Sequence, residues 1–118
     1  MTKNNQPIPA LRQPERAVVA TLILPNSAAE AANDPMEEIT GLAEAAGAVV
    51  VGGLVQRIAK VNPRAAFGKG KIEEIKQMAL SCDADLVVID FDLSPSQGRN
   101  LEKDIGIRVV DRTELILD

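Results

Sequence analysis

The 118-residue chain contains no histidine, no tryptophan and no tyrosine, one cysteine (Cys82) and two phenylalanines (Phe67 and Phe91). Each scarcity closes off a class of function. Without histidine there is no Ser-His-Asp or Cys-His nucleophile system and no His-ligated metal. A single cysteine rules out an intrachain disulfide and a cysteine-built zinc cluster, so no catalytic or metal-binding residue is assigned. Two aromatic rings are too few for the stacking platforms on which single-stranded nucleic acid sites depend, so any contact with RNA must be to backbone and shape. Phe91, at the end of an apolar run, reads as core; Phe67, inside a basic segment, can be read as core or as a contact. No apolar run approaches the roughly 18 to 20 residues of a membrane span, and no apolar h-region of a secretory signal is visible near the start. A cytoplasmic location is the expectation that follows. The chain is of a length for one domain.

What is present is an ordinary globular composition, 46% hydrophobic and 25% charged, with a net charge of −4 that is unevenly spread. Between positions 57 and 76, Arg57, Lys60, Arg64, Lys69, Lys71 and Lys76 face only Glu73 and Glu74, so six cations against two carboxylates leave +4. The flanking stretches are both acidic. A single basic segment in an acidic chain can meet a polyanion while the remainder limits indiscriminate binding, although such a segment can equally be a solvated loop.

The pattern of apolar runs and breakers gives the architecture. Residues 1–16, with Pro7, Pro9 and Pro14 among polar side chains, lack apolar periodicity and read as a flexible leader, with the folded domain over 17–118. Ala17–Leu24, Ala48–Ile58, Leu86–Phe91 and Ile107–Val110 read as strands, the second containing Gly52-Gly53, which predicts a bulge or a close backbone approach. Helices are expected after Asp34-Pro35, read as an N-cap and first-turn proline; from about Gly70, with Ile72, Ile75, Ala79 and Cys82 on one face; from Ser94; and from Thr113. Cys82 is thereby a core thiol rather than a nucleophile. Alternating strands and helices predict an α/β fold, an open and mainly parallel sheet of about four strands with helices on both faces. Ligands of such sheets meet the loops at the strands' carboxyl ends, here those carrying Arg64 to Lys71, Asp90 to Ser94 and Asp111 to Thr113.

Three motifs stand out. Asp92-Leu-Ser-Pro-Ser-Gln-Gly-Arg-Asn-Leu-Glu-Lys103 holds a capping box, with Ser94 as cap, Pro95 at the first helical position and Gln97 able to reach back to the cap amide. Gly68-Lys69-Gly70-Lys71 opens a helix followed by Ile72-Glu73-Glu74-Ile75, and Asp111-Arg112-Thr113-Glu114-Leu115-Ile116-Leu117-Asp118 ends the sequence. Together and in this order they resemble the N-terminal domain of HflX-type GTPases, ribosome-associated translational GTPases, over about residues 17–118. The resemblance implies a parallel α/β domain that docks on the large ribosomal subunit and its rRNA, in a longer protein that splits or rescues ribosomes. It also implies a partner within that protein, a GTPase domain holding GTP and Mg2+, whose phosphate-binding loop is not in these 118 residues. No enzyme activity and no cofactor are therefore expected of this chain alone. The candidate rRNA-binding residues, chosen on charge and loop position, are Arg57, Lys60, Arg64, Lys69 and Lys71.

An alternative reading uses Gly68, Lys69, Gly70 and Lys71 as a phosphate or nucleotide loop, since free amides at a helix start and two lysines favour an anion. The resemblance adds that HflX proteins have been suggested to use adenine nucleotides through the N-terminal region. The loop is not the nucleoside-triphosphatase pattern, however, because Ile72 stands where a magnesium-binding hydroxyl is needed. The glycines can equally serve only the turn into the helix. Asp90, Asp92 and Asp111 could converge on a cation, but capping amides or pairing with Arg99 or Arg112 is the simpler use. Weak self-association through a sheet edge or the C-terminal helix is a further expectation. Two departures from the family pattern involve three positions. Ala66-Phe67 replaces an aromatic followed by an aliphatic residue, and Gly98 replaces a leucine at the fourth position of the Ser94 helix.

Overall fold

The computed structural model describes residues 14–117. Residues 1–13 of the expected leader lie outside the described residues. Nine elements follow in order: β1 (Arg16–Ile23), α1 (Ala28–Ala31), α2 (Glu37–Ala45), β2 (Val49–Arg57), α3 (Lys69–Ser81), β3 (Leu86–Asp90), α4 (Pro95–Ile105), β4 (Arg108–Asp111) and α5 (Arg112–Leu117). The four strands make one sheet in the order β2-β1-β3-β4, and every pairing is parallel. This is the open α/β sheet expected. No described helix is long and apolar enough to cross a membrane.

Burial on both faces explains why β1 reads as a continuous apolar run rather than an alternating one. Val18, Ala20 and Leu22 join Val87, Ile89 and Val109 beneath Ile72, Ile75 and Ala79 of α3 and Leu101 and Ile105 of α4. On the other face Ala17, Val19, Leu86, Val88 and Val110 pack with Ile39 and Ala43 of α2 and with Leu115 of α5. The first cluster is the larger, and the helices above it are longer, 13 and 11 residues against nine and six.

The paired glycines of β2 allow the close approach expected, and the bulge falls beside them. The β1–β2 register slips between Ala17 and Val18, which marks a bulge at Val51. A Cβ on Gly52 would lie 2.8 Å from Met78 Sδ, and one on Gly53 would lie 2.7 Å from Met36 Sδ and 3.2 Å from Val19 Cγ2. Helices on both faces therefore approach the strand where it carries no side chain.

The start of α2 differs from expectation. The Asp34 carboxylate accepts the Met36 amide (3.1 Å) and the Asp34 carbonyl accepts the Glu37 amide (3.2 Å). Asp34 thus closes a turn upon itself, Pro35 sits in that turn, and the helix begins only at Glu37 with no side-chain cap. The small-residue stretch before it contains the short α1, capped by Ser27, whose hydroxyl accepts the Glu30 amide.

Helix α4 is built as its sequence prescribes. Ser94 Oγ accepts the Gln97 amide (3.2 Å), Gln97 Oε1 accepts the Ser94 amide (2.9 Å), Pro95 opens the helix, and Gly106 ends it at a left-handed φ of 92°. A Cβ on Gly98 would meet nothing within 4 Å. Gly98→Leu is expected to raise stability by about 1 kcal/mol from helix propensity alone, with a further gain if the new side chain staples against half-buried Leu93. A melting temperature that stays level or falls in a thermal scan would count against that account.

Candidate functional site

The basic segment lies where the chain leaves β2 and crosses to α3. After Arg57, the Ile58 amide still donates to Ile23 (3.0 Å), and the chain then folds into a closed five-residue loop. Asn62 and Ala66 exchange two main-chain hydrogen bonds (3.1 and 2.8 Å), and the Asn62 side chain accepts the Arg64 amide (2.9 Å). Ala66 takes a left-handed φ of 70° to close the ring. The three residues that follow Arg64, namely Ala65, Ala66 and Phe67, are completely buried. Phe67 is therefore a core residue and is not a stacking platform for a base; Phe91 is half-buried against the same cluster.

One face of α4 holds this loop in place. Gln97 Nε2 donates to the Asn62 carbonyl (3.3 Å), Asn100 Nδ2 to the Arg64 carbonyl (2.8 Å), and Asp104 takes both ends of the Arg64 guanidinium (2.6 and 3.1 Å). The three side chains recur every three to four residues, so they stand one above another on the helix. Gln97 both closes its own capping box and reaches the loop. The sequence reading missed Asn100 and Asp104, although their spacing from Gln97 was the available signal.

The five candidate cations are not equivalent. Arg64 is engaged in the two-point pair with Asp104, which raises the guanidinium pKa further, while the hydrogen bond from Arg64 holds the Asp104 carboxyl below its ordinary range. Lys71 is mostly covered and pairs with Glu74 at 3.1 Å. Arg57, Lys60 and Lys69 are exposed, and none of the three forms an ion pair among the described residues. Within the Gly68–Lys71 loop, the Gly68 amide already donates to Gln56 Oε1 (3.0 Å). The first turn of α3 has no side-chain cap, so the intrahelical ladder leaves the amides of Lys69, Gly70 and Lys71 unbonded. Beside it lies a depression of about 510 Å3 lined by Asn62, Arg64, Lys69, Ile72, Glu73 and Asp104. Its charge is mixed, with two basic and two acidic side chains.

At the carboxyl ends of β3 and β4 the acidic residues each have a protein partner. Asp90 accepts from Arg112 (3.0 Å), Asp92 from the Thr113 hydroxyl (2.9 Å), and Asp111 from the Leu93 and Glu114 amides (3.0 and 2.9 Å). Arg112 also reaches Glu38 of α2 at 2.8 Å, and these two carboxylates raise its pKa. Glu114 Oε1 accepts the Asp111 amide (3.2 Å), which completes a second capping box at α5. Of the two arginines considered for these carboxylates, Arg112 makes the pair. Cys82 caps the end of α3 half-buried, with its carbonyl bound by Arg16.

Residues 33–118 match the family described as GTP-binding GTPase N-terminal. The chain belongs to that family, as a domain of the HflX type. It is 40% identical over 107 residues to the GTPase HflX of Caldanaerobacter subterraneus subsp. tengcongensis, a match that covers 91% of this chain and 24% of the relative. Against the GTPase HflX of Lacrimispora saccharolytica the identity is 44%, over 75% of this chain and 21% of the relative. The Escherichia coli GTPase HflX is 35% identical over 72% of this chain and 20% of its own length. The chain thus spans about a quarter or less of these relatives. Among solved structures, a variant of SsGBP superposes with a TM-score of 0.60 at 20% identity, over 86% of this chain and 30% of that one. Unliganded arylmalonate decarboxylase gives 0.54 at 17% identity, over 86% and 42%. At these identities the likeness is one of fold.

Proposed function

We propose that this HflX-type N-terminal domain is a docking module that attaches a longer GTP-hydrolysing protein to the large ribosomal subunit in the cytoplasm, where the whole protein splits or rescues ribosomes. GTP and Mg2+ belong to the GTPase domain of that longer protein, which is the module's partner within the chain. The observation that carries this reading is the set of three exposed cations, Arg57, Lys60 and Lys69, on a segment pinned by α4 at one pole of an otherwise acidic domain. A fixed loop holds its charges in register with phosphates without an ordering cost on binding. Arg64 and Lys71 join the contact with part of their charge already answered by Asp104 and Glu74.

Co-sedimentation of the domain with isolated ribosomal subunits over a range of salt tests the proposal. Selective, salt-sensitive pelleting with the large subunit is expected. Replacing Arg57, Lys60 and Lys69 together by alanine should weaken it and reduce the slope of log affinity against log salt by roughly two to three, one phosphate contact for each cation. Replacing Lys69 and Lys71 should act mainly through Lys69. Pelleting and salt slope that are unchanged in both variants would remove these residues from the interface.

A second reading, nucleotide binding at Gly68–Lys71, draws support from the unbonded amides of the first α3 turn beside Lys69. Saturable binding of labelled ATP in equilibrium dialysis, lost on changing Lys69 and Lys71, is expected only under that reading.

A further inference from the structure

The sheet has two margins, and their exposed main chains are treated differently. At β4 the amides of Val109 and Asp111 face away from the sheet, and both are taken by carboxylates of the same domain. Val109 donates to Glu102 Oε2 (3.0 Å) and Asp111 to Glu114 Oε1 (3.2 Å). Two charges stand where the carbonyls of an added strand would have to come, so this edge is sealed. At β2 the Ile58 amide points inward to Ile23 (3.0 Å). The two-residue alternation of a strand then turns Leu54 and Gln56 toward β1 and leaves the N–H and C=O groups of Gly53, Val55 and Arg57 facing outward. Among the described residues nothing bonds to those groups.

The strand also lacks the usual deterrents. From Val49 through Val55 it has neither a charged residue nor a proline, and Val49 is 44% exposed. The bulge disturbs only its beginning, because Gly52 to Arg57 keep an unbroken register against Val18 to Ile23. One domain that caps its short edge with two glutamates and leaves its longest strand open has an edge available for pairing.

We propose that β2 is an association edge whose partner is β2 of a second copy of this chain, antiparallel about a twofold axis through Val55. The alternation fixes this register. Val55 stands opposite Val55 and Gly53 opposite Arg57, and each pair exchanges two bonds, about six in all. Charge favours the same orientation. Arg57 and Lys60 of one copy run toward the Val49 end of the other, where Glu44 is exposed, while Glu15 there is already paired with Arg108. An edge contact of this size buries well under the roughly 1,200 Å2 of a specific stable interface, so the dimer is weak and forms at roughly submillimolar protein.

Sedimentation equilibrium of the 118-residue chain from micromolar to millimolar concentration is the test. The mass is expected to rise from 12.6 kDa toward twice that value. Amide exchange at high against low concentration should show added protection at Gly53, Val55 and Arg57 and none at Leu54 or Gln56. Val55→Pro removes an outward amide without touching the bonds to β1, and should abolish the rise. Should that variant misfold by circular dichroism, the amide pattern decides alone. A mass that stays at 12.6 kDa at millimolar protein overturns the proposal, whether residues 1–13 or another protein's strand covers the edge. So does a rise without protection at those three amides, or a well-folded Val55→Pro that associates as the parent does.

Discussion

Replacing Phe67 by alanine is expected to destabilise the domain by about 3–5 kcal/mol, as for other fully buried aromatic truncations. Phe67 is 0% exposed and heads the set of largest fully buried side chains. It belongs to the cluster that joins Leu22 and Ile89 of the sheet to Ile72, Ile75 and Leu101 of the helices above. The residues around it have little freedom to collapse into the space. Ala65 and Ala66 are fixed by the closed loop, and the Gly68 amide is tied to Gln56. The cost should therefore lie toward the upper part of that range, and denaturant titration would read it as a lowered midpoint at unchanged slope. Phe67→Leu keeps most of the apolar volume and should lose less than half as much. If the alanine variant lost under 1 kcal/mol, Phe67 would be a surface residue, and a stacking role in nucleic acid recognition would return.

The order of the elements was legible because the signals that define it are local. Apolar runs stopped by Pro25, Gly47 and Gly106 mark the strands and helix ends, and a Ser-Pro-Ser-Gln start is a capping box whatever surrounds it. The close helix approach at Gly52-Gly53, with the bulge beside it at Val51, was legible for the same reason. The start of α2 was not, because Asp34 can cap a helix or close its own turn, and the sequence offers both with the same residues. The five cations were visible as charges, but their separation into paired and unpaired ones was not. Asp104 lies 40 positions from Arg64, and only the packing of α4 against the loop brings them together. Phe67 was ambiguous because a basic segment says nothing about which of its residues turn inward.

The function of those pairings is mechanical. Helix α4 carries one family motif, the loop carries Arg64 and the approach to Lys69, and Gln97, Asn100 and Asp104 join them. A similar arrangement fixes the turn before Ser94, where Asp111 at the end of β4 accepts the Leu93 amide and Thr113 of α5 donates to Asp92. Parallel strands bring their carboxyl ends, and the loops that leave them, to one end of the sheet, and in this domain the starts of α4 and α5 at that end are cross-braced by polar side chains in addition to the apolar core beneath them.

Asp111→Ala should show how much that bracing contributes. Asp111 is 7% exposed, and its carboxylate accepts the Leu93 amide with one oxygen and the Glu114 amide with the other. Alanine leaves both amides without their acceptor in a partly closed site. Hydrogen bonds to a charged group contribute roughly 1.5–3 kcal/mol each, so a loss of about 3 kcal/mol is expected. Asp111→Asn retains one neutral acceptor and should lose about half of that. The two outcomes differ in place as well as size. Arg112 still tethers α5 to Asp90 and Glu38, so the sheet should remain intact while the amides of Glu114 and Leu93 exchange hydrogen much faster. Uniformly faster exchange across all four strands would mean that Asp111 supports the whole domain. A stability change below 1 kcal/mol with α5 still protected would mean that Arg112 alone holds the helix, and that the carboxylate is dispensable to the position from which the chain leaves the sheet.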